Sequence, residues 1–518
     1  MGPNPPREIN PWIIAVAVML ATFMEVLDTT VVNVSLPHIA GSLSASIDEA
    51  TWALTSYLVA NAIILPITGW LARTLGRKRL LIWSVTGFTC ASFLCGLAPN
   101  LEALIFFRVV QGASGGCLQP ISQAVMLEAF PPRDRGKAMA FWGLGIVVAP
   151  MLGPVLGGWL TDSYSWRWVF YINIPVGIAA IIMTRLFIFD PPYLRRESTG
   201  IDYWGIGLLA LGVASLQIVL DKGQEDDWFG SRFIVILTVL CVIGLVAFVI
   251  RELCTSDPVV HLRVFKNRTY ASGVFLMTML GFVLYGSMVL LPIFLQTLLG
   301  YPALDAGVAM FPRGLGSFLF MPIVGVIIAR SDSRVLLGIG LLGGSLTLFQ
   351  LSWLNLNTGY WNIFWPQFIQ GASMALVFVP LTTVTMAPIP REEMGNATSL
   401  FNLLRNVGGS VGISVTNTYL FRREQMHTRL LVSHVNPFNA AANSLIQSLR
   451  SALMMQGSDA VTALHQAYIA LWGIVERQAA MVSFVDTFRL MGWMFLILLP
   501  LLFIMKRPTD GSGPTGIH

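Results

Sequence analysis

Along most of the chain, apolar residues run in long stretches separated by short clusters of charged residues, glycine and proline. A helix of about 20 apolar residues crosses the ~30 Å hydrocarbon core of a bilayer. On that criterion spanning helices are predicted over approximately 12–36, 51–72, 80–98, 103–129, 138–161, 168–189, 202–220 and 232–254. After a polar break they resume at about 270–298, 306–329, 335–354, 362–388, 396–420 and 484–505, which makes fourteen. One longer polar segment, about 421–484, interrupts the series near its end. In it Val461, Leu464, Tyr468, Leu471, Trp472 and Val475 fall at helical spacing, as do Leu445, Leu449 and Leu453. Two amphipathic helices outside the membrane are therefore expected there, either as a lid packed on its own protein or as a docking surface.

Composition agrees with the pattern. The 518 residues are 55% hydrophobic and 11% charged, with a mean hydropathy of +0.69, too little polar surface for a soluble globule of this size. The run from Trp12 is flanked only by Arg7 and Glu8 and contains two carboxylates. That suits a retained first span better than a cleaved signal peptide, although a cut near "SLSAS" is the alternative. All five cysteines lie in apolar stretches, so no disulfide framework is implied. No zinc spacing, P-loop or nucleophile elbow is present, which argues against an enzyme and against a bound cofactor.

The net charge of +5 marks topology rather than a nucleic-acid partner, because the basic residues fall in alternate loops. One side holds Arg73, Arg77, Lys78, Arg79, Arg133, Arg135, Lys137, Arg195, Arg196, Arg263, Lys266, Arg268, Arg330, Arg334, Arg391, Lys506 and Arg507. The short loops of the other hold Arg167, Lys222 and Arg232. The positive-inside rule then puts both termini in the cytoplasm.

An internal repeat organises the spans. "QGASGGCLQP" from Gln111 returns as "QGASMALVFVP" from Gln370, and "PPRDRGKA" from Pro131 returns as "IPREEMGNA" from Ile389; Gln111 to Gln370 and Gly136 to Gly395 are both 259 positions. The expected architecture is all-α, with two six-helix halves at 1–189 and 256–518 and an inserted helix pair at 190–255. Two parallel halves rocking about a midplane site are a known solution for alternating access.

In the first span, "FMEVLDTTVVNVSLP" from Phe23 places Glu25, Asp28, Thr29 and Asn33 on one helical face. A central carboxylate costs roughly 2.5–3.5 kcal/mol on insertion scales, so this stripe is expected to face the bundle interior or a water-filled cavity. Such groups suit proton or cation exchange; the structural alternative is an interior ion pair that merely fixes helix packing. Arg108 shares a face of span 4 with Gln111, Gly112, Gly115, Gln119 and Gln123 and is the expected partner. Its repeat equivalent is Gln367, which confines proton handling to the first half. In span 5, Ala149, Gly153 and Gly157 recur every four residues beside Pro150 and Pro154, as a hinge or a seam between halves would require. Trp52, Tyr57, Asn61, Tyr285, Gln296, Trp365, Gln367 and Gln370, with Glu25, Asn33, Gln111 and Gln119, are candidate walls for an apolar, partly aromatic ligand.

Taken together, "LDTTVVNVSLP", "RVVQG" from Arg108, "APMLGPVLGG" from Ala149 and "WRWVFYINIPVG" from Trp166 make the chain resemble the major facilitator superfamily. Within it, they resemble the fourteen-span drug:proton antiporters of the EmrB/QacA type. "LDKGQEDDWF", "WPQFIQG" and "VNPFN" are similar to the EmrB-type members. The resemblance implies the major facilitator fold with fourteen helices arranged 6+2+6. It also implies proton-coupled export of hydrophobic drugs from the inner membrane of Gram-negative bacteria, with protons as coupling ion. Implied partners are a periplasmic membrane-fusion adaptor (EmrA-like) and a TolC-like outer-membrane channel, which would make 421–484 a docking surface. Asp28 would carry the proton, Arg108 would tune it, and Glu25, outside the common motif, would influence substrate charge. Gly69, Gly76 and Arg77 match the family's gating loop after span 2, but Arg73 stands where the family has Asp. The rival readings are a proton-coupled importer and a non-transporting scaffold or receptor.

Overall fold

The computed structural model describes residues 10–190, 202–255, 258–328, 330–436 and 438–504. Arg7, Glu8, Arg195, Arg196, Pro437, Lys506 and Arg507 lie outside the described residues. No strand occurs among the described residues. The first six long helices are α1 (Pro11–Ser42), α2 (Trp52–Leu75), α3 (Arg77–Leu97), α4 (Leu101–Ala129), α5 (Arg135–Ser163) and α6 (Trp168–Phe187). Then follow α7 (Tyr203–Lys222), α8 (Arg232–Cys254), α9 (Arg268–Leu298), α10 (Ala303–Ile327), α11 (Ser333–Leu351), α12 (Tyr360–Met386), α13 (Met394–Ser433), α14 (Ala440–Met455) and α15 (Ala460–Leu498). Local chemistry fixes several of their starts. Asn10 caps α1 by accepting from Trp12 N at 3.0 Å, with Pro11 in the first turn where its missing N–H leaves no bond unmade.

Helices α1–α6 pack among themselves, as do α9–α13 with α15, while α7 lies against both α2 and α13. Thirteen helices are long and apolar enough to span a bilayer. Of the other two, α14 is a short outer helix of 16 residues; α13 is 40 residues long and more polar, yet its first half is buried between α9, α15 and α2.

The segment 421–484 differs from its expected form. Only α14 is a separate outer helix; the stretch from Val461 to Val475 is the beginning of α15, which runs unbroken for 39 residues into the last span. Likewise α13 continues past Leu420 to Ser433. Hydropathy marks where lipid begins, whereas a helix stops at a breaker, and no proline lies between Phe438 and Leu499. Ile446, Leu449 and Leu453 of α14 pack on Leu464, Ala467 and Leu471 of α15. Val461, Tyr468 and Trp472 stay exposed.

The two groups of helices meet most closely at the end of the bundle where α1 begins and α15 finishes. There Thr398 Oγ1 donates to Pro120 O at 3.0 Å, Asn402 Nδ2 to Gln123 Oε1 at 2.6 Å, and the Trp142 and Phe378 rings stack at 5.9 Å. Arg73 Nη1 reaches His261 Nε2 at 2.8 Å at the same end. Toward the opposite end, α5 and α10 touch more loosely: a Cβ on Gly307 would lie 3.5 Å from Pro154.

Candidate functional site

Asp28 and Arg108 are both fully buried, and their side chains meet: Arg108 Nη1 donates to Asp28 Oδ2 at 2.6 Å. Asp28 Oδ1 accepts from Gln111 Nε2 at 3.0 Å and from Asn173 Nδ2 at 2.7 Å. Arg108 also donates to Ala53 O at 3.0 Å and to Gln111 Oε1 at 2.8 Å, and its guanidinium lies 4.1 Å from the Tyr57 ring. Asn173 is held in turn by Ser92 Oγ at 3.0 Å. Five elements, α1, α2, α3, α4 and α6, thus supply the bonds that make a buried ion pair tolerable. The expected cavity-facing carboxylate is instead sealed in a closed network in this conformation.

One turn earlier, Glu25 is buried, with Oε1 accepting from Asn61 Nδ2 at 2.9 Å. Its Oε2 has no hydrogen-bond partner among the described residues. Asp28 and Arg405 are its charged neighbours and the Gln119 amide lies beside it; Arg405 Nη2 donates to Gln119 Oε1 at 2.5 Å.

A cavity of about 610 Å³ of empty volume, open mouth included, lies between the two groups of helices. Ile146, Val147, Pro150 and Met151 of α5 form one wall; Met277, Leu284, Tyr285 and Met288 of α9 form another. Met374 and Phe378 of α12, Arg313 of α10 and Arg405 of α13 complete it. The lining is apolar apart from two guanidinium groups and the Tyr285 phenol, the greasy wall with few polar anchors that makes the cavity a candidate ligand site.

Not every expected wall residue is here. Tyr285 lines the cavity, but Trp365 is 56% exposed on the outer surface of α12. Gln296 is exposed because α9 widens at Phe294–Leu298 into a π-helical turn, which rotates it away from the face of Tyr285. Trp52 packs near Lys222 of α7, 5.7 Å from its Nζ, instead of toward the cavity. Asn33 is exposed, since Val31, Val32, Ser35 and Leu36 take the covered positions of that stretch of α1. Tyr57, Asn61, Gln111 and Gln119 are buried in the two polar networks. Gln367 and Gln370 are buried and bond to each other at 3.3 Å.

The seam residues of α5 face α1. A Cβ on Gly153 would sit 2.2 Å from Thr30 Oγ1, and one on Gly157 2.9 Å from Val31 O, so the two backbones touch only because both positions are glycine. The other flank of α5, with Pro150 and Met151, faces the cavity, and Pro154 faces α10 near Gly307. One helix therefore links the Asp28 helix to the cavity wall.

At the closed end Arg77 is buried and paired with Glu128 of α4. Gly76 turns with φ +85°, and Lys78 N donates to Asp190 Oδ1 at 2.9 Å. A carboxylate from just beyond α6 thus serves the turn that follows Arg73, the position where the resemblance would put an Asp. Gly69 packs on α13, where a Cβ would lie 2.8 Å from Asn396 Cα. Gly69→Val is expected to wedge α2 from α13, lowering transport several-fold while the folded yield, read by size-exclusion chromatography, changes little; unchanged transport would remove Gly69 from closure.

Sequence reasoning missed Arg313, Arg405 and Asn173. The two arginines lie inside apolar runs and carried the same signal as Arg108. Asn173, a neutral residue near a helix start, lay inside the "WRWVFYINIPVG" motif but carried no charge to single it out.

The chain matches the description Major Facilitator Superfamily over residues 18–413. It is 39% identical over 508 residues to the multidrug export protein EmrB of Escherichia coli (strain K12), covering 98% of each chain. To the protein of the same description from Haemophilus influenzae it is 41% identical over 502 residues, 96% of each. Among solved structures, the proton:xylose symporter XylE superposes with a TM-score of 0.60 at 14% identity over 96% of each chain, a likeness of fold. Spanning helices in two packed groups, a membrane-buried acid–arginine pair and this extended similarity lead to one assignment: the chain is a transporter belonging to the Major Facilitator Superfamily.

Proposed function

We propose that the protein is a proton-coupled exporter of hydrophobic and amphipathic toxic compounds. It sits in a Gram-negative inner membrane with both termini in the cytoplasm. The observation that carries this reading is the Asp28–Arg108 pair, buried at 2.6 Å on a helix whose neighbour α5 walls the cavity. Relatives named multidrug export proteins, similar over nearly the whole chain, support the cargo class.

With the closed end cytoplasmic, the described conformation is the outward-facing one. A proton arriving from the periplasm neutralises Asp28 and removes the charge that holds Arg108. α1 then shifts against α4 and α6, and the tight contacts at Gly153 and Gly157 carry the shift to α5. Pro150 and Met151 move with it, so cargo leaves as the wall changes shape. An electrical gradient supplies roughly 2.3 kcal/mol per charge per 100 mV. The exposed apolar residues of the outer segment, Phe438 at 97% exposure together with Ile469 and Trp472 of α15, suit docking of a periplasmic adaptor that leads to an outer-membrane channel.

The test is efflux of a lipophilic dye from proteoliposomes under an imposed pH gradient. Dye movement that follows the gradient and collapses with a protonophore is expected; movement indifferent to the gradient would overturn the coupling.

A further inference from the structure

The inserted helices α7 and α8 form one stiff body. A Cβ on Gly244 would lie 2.8 Å from Gly212 N, so the two backbones touch where both positions are glycine. At their closed-end tips Arg251 Nε and Nη2 each donate to the Asp202 carboxylate at 3.2 Å, a two-point bond that resists rotation. This body is held by both groups of helices, at opposite faces of the membrane. Away from the closed end, α7 grips the start of α2: Lys222 is buried, and its ammonium donates to Thr51 Oγ1 and to Asp48 O at 3.4 Å and pairs with Glu225 at 2.6 Å. Asp221 beside it accepts from Thr55 Oγ1. At the closed end, the segment after α8 grips α13. His261 N donates to Asn396 Oδ1 and Asn396 Nδ2 donates to His261 O, both at 3.1 Å. Arg73 also reaches the His261 ring, but the chain runs on from there directly into α9.

One contact differs in kind. Ser410 Oγ of α13 donates to Gln217 Oε1 of α7 at 3.1 Å, about 24 Å along α13 from Met394 at ~1.5 Å per residue. It joins two neutral groups, and such a bond is exchanged for another at little net cost, whereas freeing the buried Lys222 ammonium would leave a charge without partners. When two groups of helices rock about a midplane, their ends close together at one face as they part at the other. A stiff body fastened to the first group at one face and to the second at the other cannot follow both. The neutral contact is the one that can give way.

We propose that the inserted pair is a strap between the two groups of helices, fastened through Asp221 and Lys222 to the first and through Asn396 to the second, and that α7 slides on α13 at Gln217–Ser410 in every transport cycle. This rests on the exporter working by alternating access. It gives the inserted helices a mechanical part in turnover, separate from the Asp28 network and from the cavity, neither of which they line.

Cysteine pairs separate the sliding contact from a fastened one. Gln217→Cys with Ser410→Cys, and Thr55→Cys with Asp221→Cys, are joined in the full-length protein by a short bis(methanethiosulfonate) linker that reductant removes, and the four single variants treated alike discount the native cysteines. Two rates are read in proteoliposomes: gradient-driven efflux, and exchange of cargo at equal pH, which needs turnover of the bundle but no gradient. Linking 217 to 410 is expected to lower both rates by about tenfold or more and reductant to restore them, whereas linking 55 to 221 leaves both within about twofold. Adding Lys222→Met and Asp221→Asn, which unfasten α7 from α2, should relieve the block by the 217–410 link, because α7 can then ride with α13. Full rates with 217 tied to 410, equal loss from either link, or a block that persists after unfastening would overturn the proposal. Should the cysteine pairs fail to fold, Ser410→Ala decides: the parent's exchange rate is expected, and lost exchange at full folded yield would mean that the contact must stay made, which refutes sliding. Link-sensitive exchange without gradient-driven efflux would sink the proton-coupled reading alone; gradient-driven efflux indifferent to the 217–410 link would sink this one alone.

Discussion

Asp28→Asn is expected to reduce pH-gradient-driven efflux to the leak of protein-free vesicles while leaving cargo binding within about twofold. Asparagine has the shape of aspartate. Its Oδ1 can still accept from Asn173 and Gln111, the bonds seen at 2.7 and 3.0 Å. The 2.6 Å contact to Arg108 cannot survive, because an amide NH2 would there oppose a guanidinium N–H. Arg108 keeps Ala53 O, Gln111 Oε1 and the Tyr57 ring, enough to hold it in place. The variant is thus locked in an imitation of the protonated state: it binds cargo in the separate cavity and has nothing to titrate. Gradient-driven rates equal to the parent's would remove Asp28 from coupling; lost binding would instead mean that the network shapes the cavity directly.

The second large effect is on stability. Arg108→Met strips Asp28 of its cation while two neutral donors remain, and leaving one partner of a buried pair typically costs about 3–5 kcal/mol. A marked fall in melting temperature is expected, together with loss of efflux. Combining Asp28→Asn with Arg108→Met removes both charges, so most of the stability should return although transport does not. The double-mutant cycle should therefore give a coupling energy of about 3 kcal/mol. Additive effects would mean the pair contributes little as a pair, whatever its distance.

These expectations separate what hydropathy can tell from what it cannot. Lipid forces backbone polar groups to be satisfied within each helix, so the spans stood out at nearly their observed places. The same force made Asp28, Arg108 and Gln111 legible, since a buried charge must find a partner and few were on offer. The cavity was harder to see, because Met151, Tyr285, Arg313, Met374 and Arg405 come from five helices spread over the chain. Local pattern also misplaced residues where backbone geometry departs from the regular helix, as at Gln296 in the widened turn of α9. The outer segment was misread for a related reason: α13 and α15 cross the lipid boundary without a break, and the change in polarity there is no change in backbone. The repeat set Gln367 opposite Arg108 and so placed no charge at that position of the second group; Arg313 and Arg405 lie elsewhere in it.

The central claim is that hydrogen ions and cargo move in opposite directions through one protein because Asp28 changes protonation state. Proteoliposomes loaded with a lipophilic cargo and a lumenal pH dye, diluted into cargo-free buffer at equal pH, test it most directly. The account predicts lumenal acidification as cargo leaves through the parent protein and none with Asp28→Asn. Cargo loss without acidification, or the same acidification from both proteins, would contradict it.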